Sequence, residues 1–252
     1  PNLKHLDVFF DGFFASDIAL EDKVMHALIN VLERAIRNAS YLDSLSLRLG
    51  NFISFASHPK LFGSLLIHRR LIRLSMENVS VACSASTTAW KLLGTTVSSL
   101  PHLRELRLAN IEDFSPKCLA KLCQALRENG VLEELGLTFA IMSEAHMHIL
   151  AEQLPLLQSL QKLDLQGNDL FKVGSPGGRF LPRGLVNLSL LDNGNFSEGS
   201  WKWLIESLAS TPNLASFQVD GIPDIWRDEL RRVLSKEAAS SLHFMREATD
   251  PA

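Results

Sequence analysis

One pattern governs what this chain can fold into. A leucine is followed three residues on by an apolar residue and two further on by another, as in Leu160-Leu163-Leu165 within "LQKLDLQGNDL". The pattern starts again at Leu3, Leu42, Leu71, Leu103, Leu132, Leu185 and Leu214, so that successive starts lie 39, 29, 32, 29, 28, 25 and 29 residues apart. Eight recurrences at such spacing define a repeat array. The last two apolar positions of each unit alternate, which marks one face of a short strand.

Helical periodicity follows several of these strands. In the fourth unit "SPKCLAKLCQALRENG" predicts a helix with Ser115 as N-cap, Pro116 at its first position and Asn129-Gly130 as the stop. Its apolar stripe is Leu119, Leu122, Cys123 and Leu126, and Trp201, Leu204, Ile205 and Leu208 stand at the same offsets in the seventh unit. Leu230, Val233 and Leu234 repeat three of those offsets in the eighth. A helix over residues 23 to 37 is expected in the first. One strand and one helix cannot bury their apolar faces alone, so neighbouring units must stack. Strands stack about 4.8 Å apart whereas helices stay about 8–10 Å apart. The expected architecture is an α/β solenoid of about eight repeats over residues 1–252, a horseshoe with a parallel sheet inside and helices outside.

The strand motif, the 28–29-residue spacing and the helix in most units resemble leucine-rich repeats of the ribonuclease-inhibitor type. The resemblance implies an inward asparagine three residues after the last strand leucine, satisfying buried backbone. Asn168 and Asn193 match, but the equivalent positions elsewhere are Asp11, Gly50, Val79, Ile111, Ala140 and Ile222. Each of those turns needs another way to satisfy its backbone.

The array also departs from itself in length. The first unit is about ten residues too long, around "FFDGFFASDIALED", where Phe9, Phe10, Phe13 and Phe14 either fill the core under a long loop or form a contact patch. The sixth is short, and "FKVGSPGGRFLPRG" cannot form a regular helix there. "IWRDELRRVLSKEAASS" suits a terminal capping helix, and "LHFMREATDPA" a ninth stub. Residue 1 opens directly on a strand, so further repeats or another domain are expected to precede it.

Chemistry is scarce. Cys83, Cys118 and Cys123 are odd in number and form no C-x-x-C pair, which supports neither a disulfide framework nor zinc. Cys118 lies at a helix start, where a thiol pKa can fall, and Cys123 lies on the core stripe. His146 and His148 are two apart on a helix and face different ways. No nucleophile elbow, dinucleotide loop, P-loop or EF-hand occurs. No catalytic, metal or cofactor site is expected, hence no enzyme. A net charge of −3 gives no electrostatic pull toward nucleic acid or an anionic membrane, and no apolar run spans a bilayer. Four Asn-x-Ser sequons at Asn38, Asn78, Asn187 and Asn195 are compatible with a glycosylated, secreted protein, whereas the cysteine economy favours the cytoplasm.

The strand register predicts the concave face residue by residue. One row across the sheet runs His5, Ser44, Arg73, Glu105, Glu134, Lys162, and a second contains Arg107 and Asp164. A third contains Phe9, Arg48 and Glu77. Arg73 is expected beside Glu105, Glu134 beside Lys162 and Arg48 beside Glu77, with a like-charge contact of Glu105 and Glu134 that costs stability unless a cation answers it. Arg73, Glu105, Arg107 and Glu134 are the candidate central anchors for a protein partner, with Phe9, Arg48, Lys162 and Asp164 around them. By resemblance the chain looks like the C-terminal leucine-rich-repeat part of an NLR-type intracellular immune receptor. That class implies ligand sensing and autoinhibition, with a protein or other domains of the same chain as partner. Ran GTPase-activating proteins, and the substrate-recognition arms of ubiquitin ligases or bacterial effectors, are similar alternatives.

Overall fold

The structure is a computed structural model. It describes residues 3–9, 18–48, 63–78, 86–111, 114–140, 142–170, 177, 179–234 and 238–239, without the side chains of 18–26 and 86–89. Phe10, Phe13, Phe14, Cys83, Asp11, Gly50 and Val79, the proposed stub at 242–252 and most of 171–178 lie outside the described residues. Two compact units are present, Pro1–Leu132 and Glu133–Ala252.

In the first unit, strands β1 (His5–Phe9), β2 (Ser44–Arg48), β3 (Arg73–Glu77) and β4 (Glu105–Ala109) pair in parallel, in sequence order. Helices α1 (Ile18–Asn38), α2 (Ser86–Ser99) and α3 (Pro116–Asn129) complete it. Every strand begins two residues after its leading leucine, as the motif requires. The alternating leucines point to the helices: Leu45, Leu47, Leu74, Met76, Leu106 and Leu108 are all buried. Removing side chains of this size from water contributes roughly 1.5–3 kcal/mol each, which is what holds neighbouring turns together.

The predicted caps of α3 are present. Ser115 Oγ accepts from Cys118 N at 3.3 Å, Pro116 occupies the first turn, and Gly130 adopts φ 70 with its N–H on Leu126 O. Asn129 does more than stop this helix. Its Nδ2 donates to Leu100 O at 2.8 Å and to Val97 O at 3.3 Å. It is a second donor for carbonyls at the end of α2 that also accept from Leu103 N and Leu100 N. Helix α1 begins at Ile18, five residues before the sequence expectation, because no proline or glycine interrupts the run from there to Asn38. Helix α2 is rich in Ser and Thr, poor helix formers. Thr95 and Thr96 return their hydroxyls to the carbonyls of Lys91 and Leu92 at 2.9 and 2.8 Å.

The second unit pairs β5 (Glu134–Thr138), β6 (Lys162–Asp164), β7 (Asn187–Ser189) and β8 (Ser216–Gln218) in parallel. It carries α4 (Glu144–Gln153), a 3-10 turn (Leu154–Leu156), α5 (Glu198–Leu208) and α6 (Asp224–Val233). Trp201, Leu204, Ile205 and Leu208 are buried on α5, and Leu230 and Leu234 at the end of the array, on the predicted offsets. The described part of the short sixth unit is not helical, as expected. Phe180 and Leu181 are fully buried there, with the Phe180 ring 4.9 Å from Trp203. Two side chains from an extended segment thus fill space that a helix fills in other repeats.

Both units are built of leucine-rich-repeat turns, and the fold is the α/β leucine-rich-repeat class that the sequence predicts.

Candidate protein-binding face

The open face of each sheet consists of the side chains between the buried leucines, and the observed register places them as expected. His5, Ser44, Arg73 and Glu105 are successive partners in the first unit, and Glu134, Lys162, Asn187 and Ser216 in the second.

In the first unit the charges form two groups. Arg73 Nε lies 3.4 Å from Glu105 Oε2, and Arg107 Nε lies 2.8 Å from Glu105 Oε1. Glu105 therefore sits between two guanidinium groups, one from the neighbouring strand and one from two residues along its own. The second group is Arg48 with Glu77 at 2.6 Å, with the Arg48 guanidinium 5.3 Å from the centre of the Phe9 ring. Phe9 is 59% exposed. Both arginines of the Glu105 group keep more than half of their side-chain surface in water, so the two pairs together contribute about 0–1 kcal/mol each at most. They orient the side chains more than they stabilise the fold.

In the second unit Lys162 Nζ lies 3.3 Å from Glu134 Oε2. Both carboxylates predicted to repel are thus answered within their own units, Glu105 by two arginines and Glu134 by a lysine. Asp164 accepts from the N–H of Gln166 at 3.1 Å. It lines a shallow depression of about 290 Å³ together with Glu134, Lys162, Asn187, Ser189 and Gln218. That is room for one partner side chain and small for a complete ligand.

Above this face the chain leaves each strand through a turn whose pattern the motif alone does not reveal. Seven residues after the leading leucine, Asn78, Asn110, Phe139, Gly167, Asp192 and Gly221 all adopt positive φ, between 50 and 73. Asn, Asp and Gly tolerate that conformation and Phe does not. The signal was present in the sequence as five Asx or Gly residues at one offset. The Phe139 ring lies over Gly167, where an added Cβ would meet it at 2.3 Å. One residue further on, Asn168 and Asn193 turn inward as their resemblance implied, each 1% exposed. Asn168 donates to Leu137 O, Leu165 O and Gln166 O and accepts from Ala140 N at 2.9 Å. Asn193 does the same for Leu165, Leu190 and Leu191 and accepts from Leu170 N. Each asparagine therefore serves the turn before its own, which is how the aberrant turn at Ala140 is satisfied.

Cys118, Cys123 and His146 take structural places. Cys118 and Cys123 are buried and free, Ser115 Oγ donates to Cys118 Sγ at 3.1 Å, and burial pushes the Cys123 thiol up to about 12. Buried His146 accepts the Ser143 N–H on Nδ1 at 3.0 Å, while His148 is exposed on the same helix. Among the described residues no cluster of His, Cys, Asp or Glu is arranged to hold a metal, and no helix is long and apolar enough to cross a membrane.

No family model matches the chain. It is 28% identical over 205 residues to a ribonuclease inhibitor from Sus scrofa, an alignment covering 78% of this chain and 43% of that protein. The chain thus spans less than half the length of the relative. The likeness agrees with the leucine-rich-repeat architecture.

Proposed function

We propose that this chain is a noncatalytic protein-binding array, acting as a single leucine-rich-repeat domain of a larger cytoplasmic protein. The observation that carries the reading is the open face of the first unit. There Arg73, Glu105 and Arg107 orient one another through ion pairs, both arginines remain accessible to water, and the pairs contribute little to stability. Such preset, polar, Arg-containing surfaces suit protein recognition. The relative's name describes inhibition of a ribonuclease, a protein ligand, and only the class of protein ligand is carried over. In finer detail we assign the array to the ligand-sensing and autoinhibitory part of an NLR-type innate immune receptor. The irregular repeat lengths and the cysteine economy support that assignment.

The test is capture from cytosol by the wild-type chain beside the variant Arg73→Glu, Glu105→Lys, Arg107→Glu, with proteins identified by cross-linking and mass spectrometry. A defined protein bound by the wild type and lost by the equally stable variant supports the reading. A small GTPase as that protein redirects it to a GTPase regulator. Identical capture by both chains overturns it.

A further inference from the structure

We infer that the first unit carries a second interaction surface, along the edge where its strands begin, that takes an acidic peptide segment bearing a large apolar side chain. The edge is built by the residue that follows each leading leucine. Lys4 O accepts from Asp43 N, Asp43 O from Ile72 N, and Ile72 O from Arg104 N, all at 2.8 Å. These four residues are therefore consecutive neighbours, about 4.8 Å apart. Immediately before them in the chain stand Tyr41 and the pair Arg69-Arg70. The Arg70 guanidinium lies 5.7 Å from the centre of the Tyr41 ring and 3.8 Å from Asp43.

Two properties set this edge apart. Lys4, Arg69, Arg70 and Arg104 are all exposed, and Asp43 is the one acidic residue among these ladder and flanking positions, in a chain whose net charge is −3. Between them, large apolar side chains are left in water: Tyr41 is 46% exposed and Ile72 37%. The corresponding ladder in the second unit runs Glu133, Gln161, Val186, Ala215. It is built by the same backbone hydrogen bonds and has neither property. The repeat itself therefore does not require a cationic, apolar edge.

The kind of partner follows from the mixture. Apolar groups at Tyr41 and Ile72 offer contact area that a sugar-phosphate backbone or a lipid headgroup does not use. Asp43 in the middle of the row opposes a uniform polyanion. A peptide answers both features, with carboxylates for the arginines and an apolar side chain between them.

The probe is a displayed library of random 12-residue peptides, selected on the wild-type chain and counter-selected on Arg69→Glu, Arg70→Glu. Both changes are at exposed positions, and circular dichroism and melting confirm that the variant folds. The expected outcome is enrichment of peptides with an excess of Asp and Glu and at least one large apolar residue. Their affinity should fall about tenfold or more in the arginine variant and by a smaller factor in Ile72→Ser. It should be unchanged in Arg73→Glu, Glu105→Lys, Arg107→Glu, which separates this surface from the open face. Enriched peptides without acidic excess, peptides that bind the arginine variant equally, or no enrichment at all overturn the proposal. So does tighter, Arg70-dependent binding of a single-stranded oligonucleotide or of phosphatidylserine vesicles.

Discussion

The two units meet the same demand in different places. After each strand the backbone must turn, and its N–H and C=O groups need partners. In the second unit those partners come from inside, from Asn168 and Asn193, which stitch each turn to the one before. In the first unit the equivalent described position is apolar Ile111, 2% exposed. There the polar link has moved one residue back to the surface, where Asn110 Nδ2 donates to Asn78 Oδ1 at 2.8 Å. Of the buried polar residues described in the first unit, Ser64, His68 and Thr96, His68 has Nε2 without a hydrogen-bond partner. An array can therefore lose its inward asparagines and keep its register, because the leucine stripe sets register and the asparagine supplies hydrogen bonds.

That contrast is open to mutation. Asn168→Ala leaves buried groups of two turns unsatisfied, at about 1–3 kcal/mol each and less than additively. We expect a loss of about 3 kcal/mol or more, read as a fall in Tm of roughly 6–12 °C. Gly167→Ala comes next. The left-handed backbone costs about 1–2 kcal/mol and the Phe139 ring must move as well, so urea unfolding should show a midpoint shift of which Phe139→Gly relieves only the part due to the ring.

His68 gives the first unit a pH dependence. Burial lowers its pKa below the usual 6.5, partly offset by a hydrogen bond to the Ile36 backbone. The unfolded chain takes up the proton first, so the stability is fully present above pH 6.5 and is lost as pH falls below it. Urea midpoints at pH 7.5 and 5.5 should differ for the wild type and converge in His68→Asn. Asn110→Gly, by contrast, removes an exposed link while keeping the left-handed turn free of strain, and should cost no more than about 1 kcal/mol. Equal losses from Asn168→Ala and Asn110→Gly would erase the distinction between the units.

How much of this was legible in the sequence depends on whether a residue acts through the repeat or through its individual surroundings. The buried leucines, the helix stripes and the pairs Arg73–Glu105, Arg48–Glu77 and Glu134–Lys162 follow from register alone, and each pair is within 3.4 Å. The second arginine on Glu105 was not foreseen, because Arg107 reaches back along its own strand and not across the ladder. Phe180 in place of a helix and Phe139 in a left-handed turn were illegible for a related reason. Both depend on a space that another residue leaves open. The binding role proposed for the open face lies beyond periodicity altogether, since a row of paired charges reads the same whether or not a partner covers it.

The most direct measurement is the melting temperature of Arg73→Glu, Glu105→Lys, Arg107→Glu beside that of Asn168→Ala. The triple reversal keeps opposite charges adjacent, so if the open face is free of structural duty its Tm should stay within about 2 °C of wild type. Asn168→Ala should fall several times further. A triple variant that melts as low as Asn168→Ala would show that the open-face charges hold the fold together, contradicting their assignment as a surface kept for a partner.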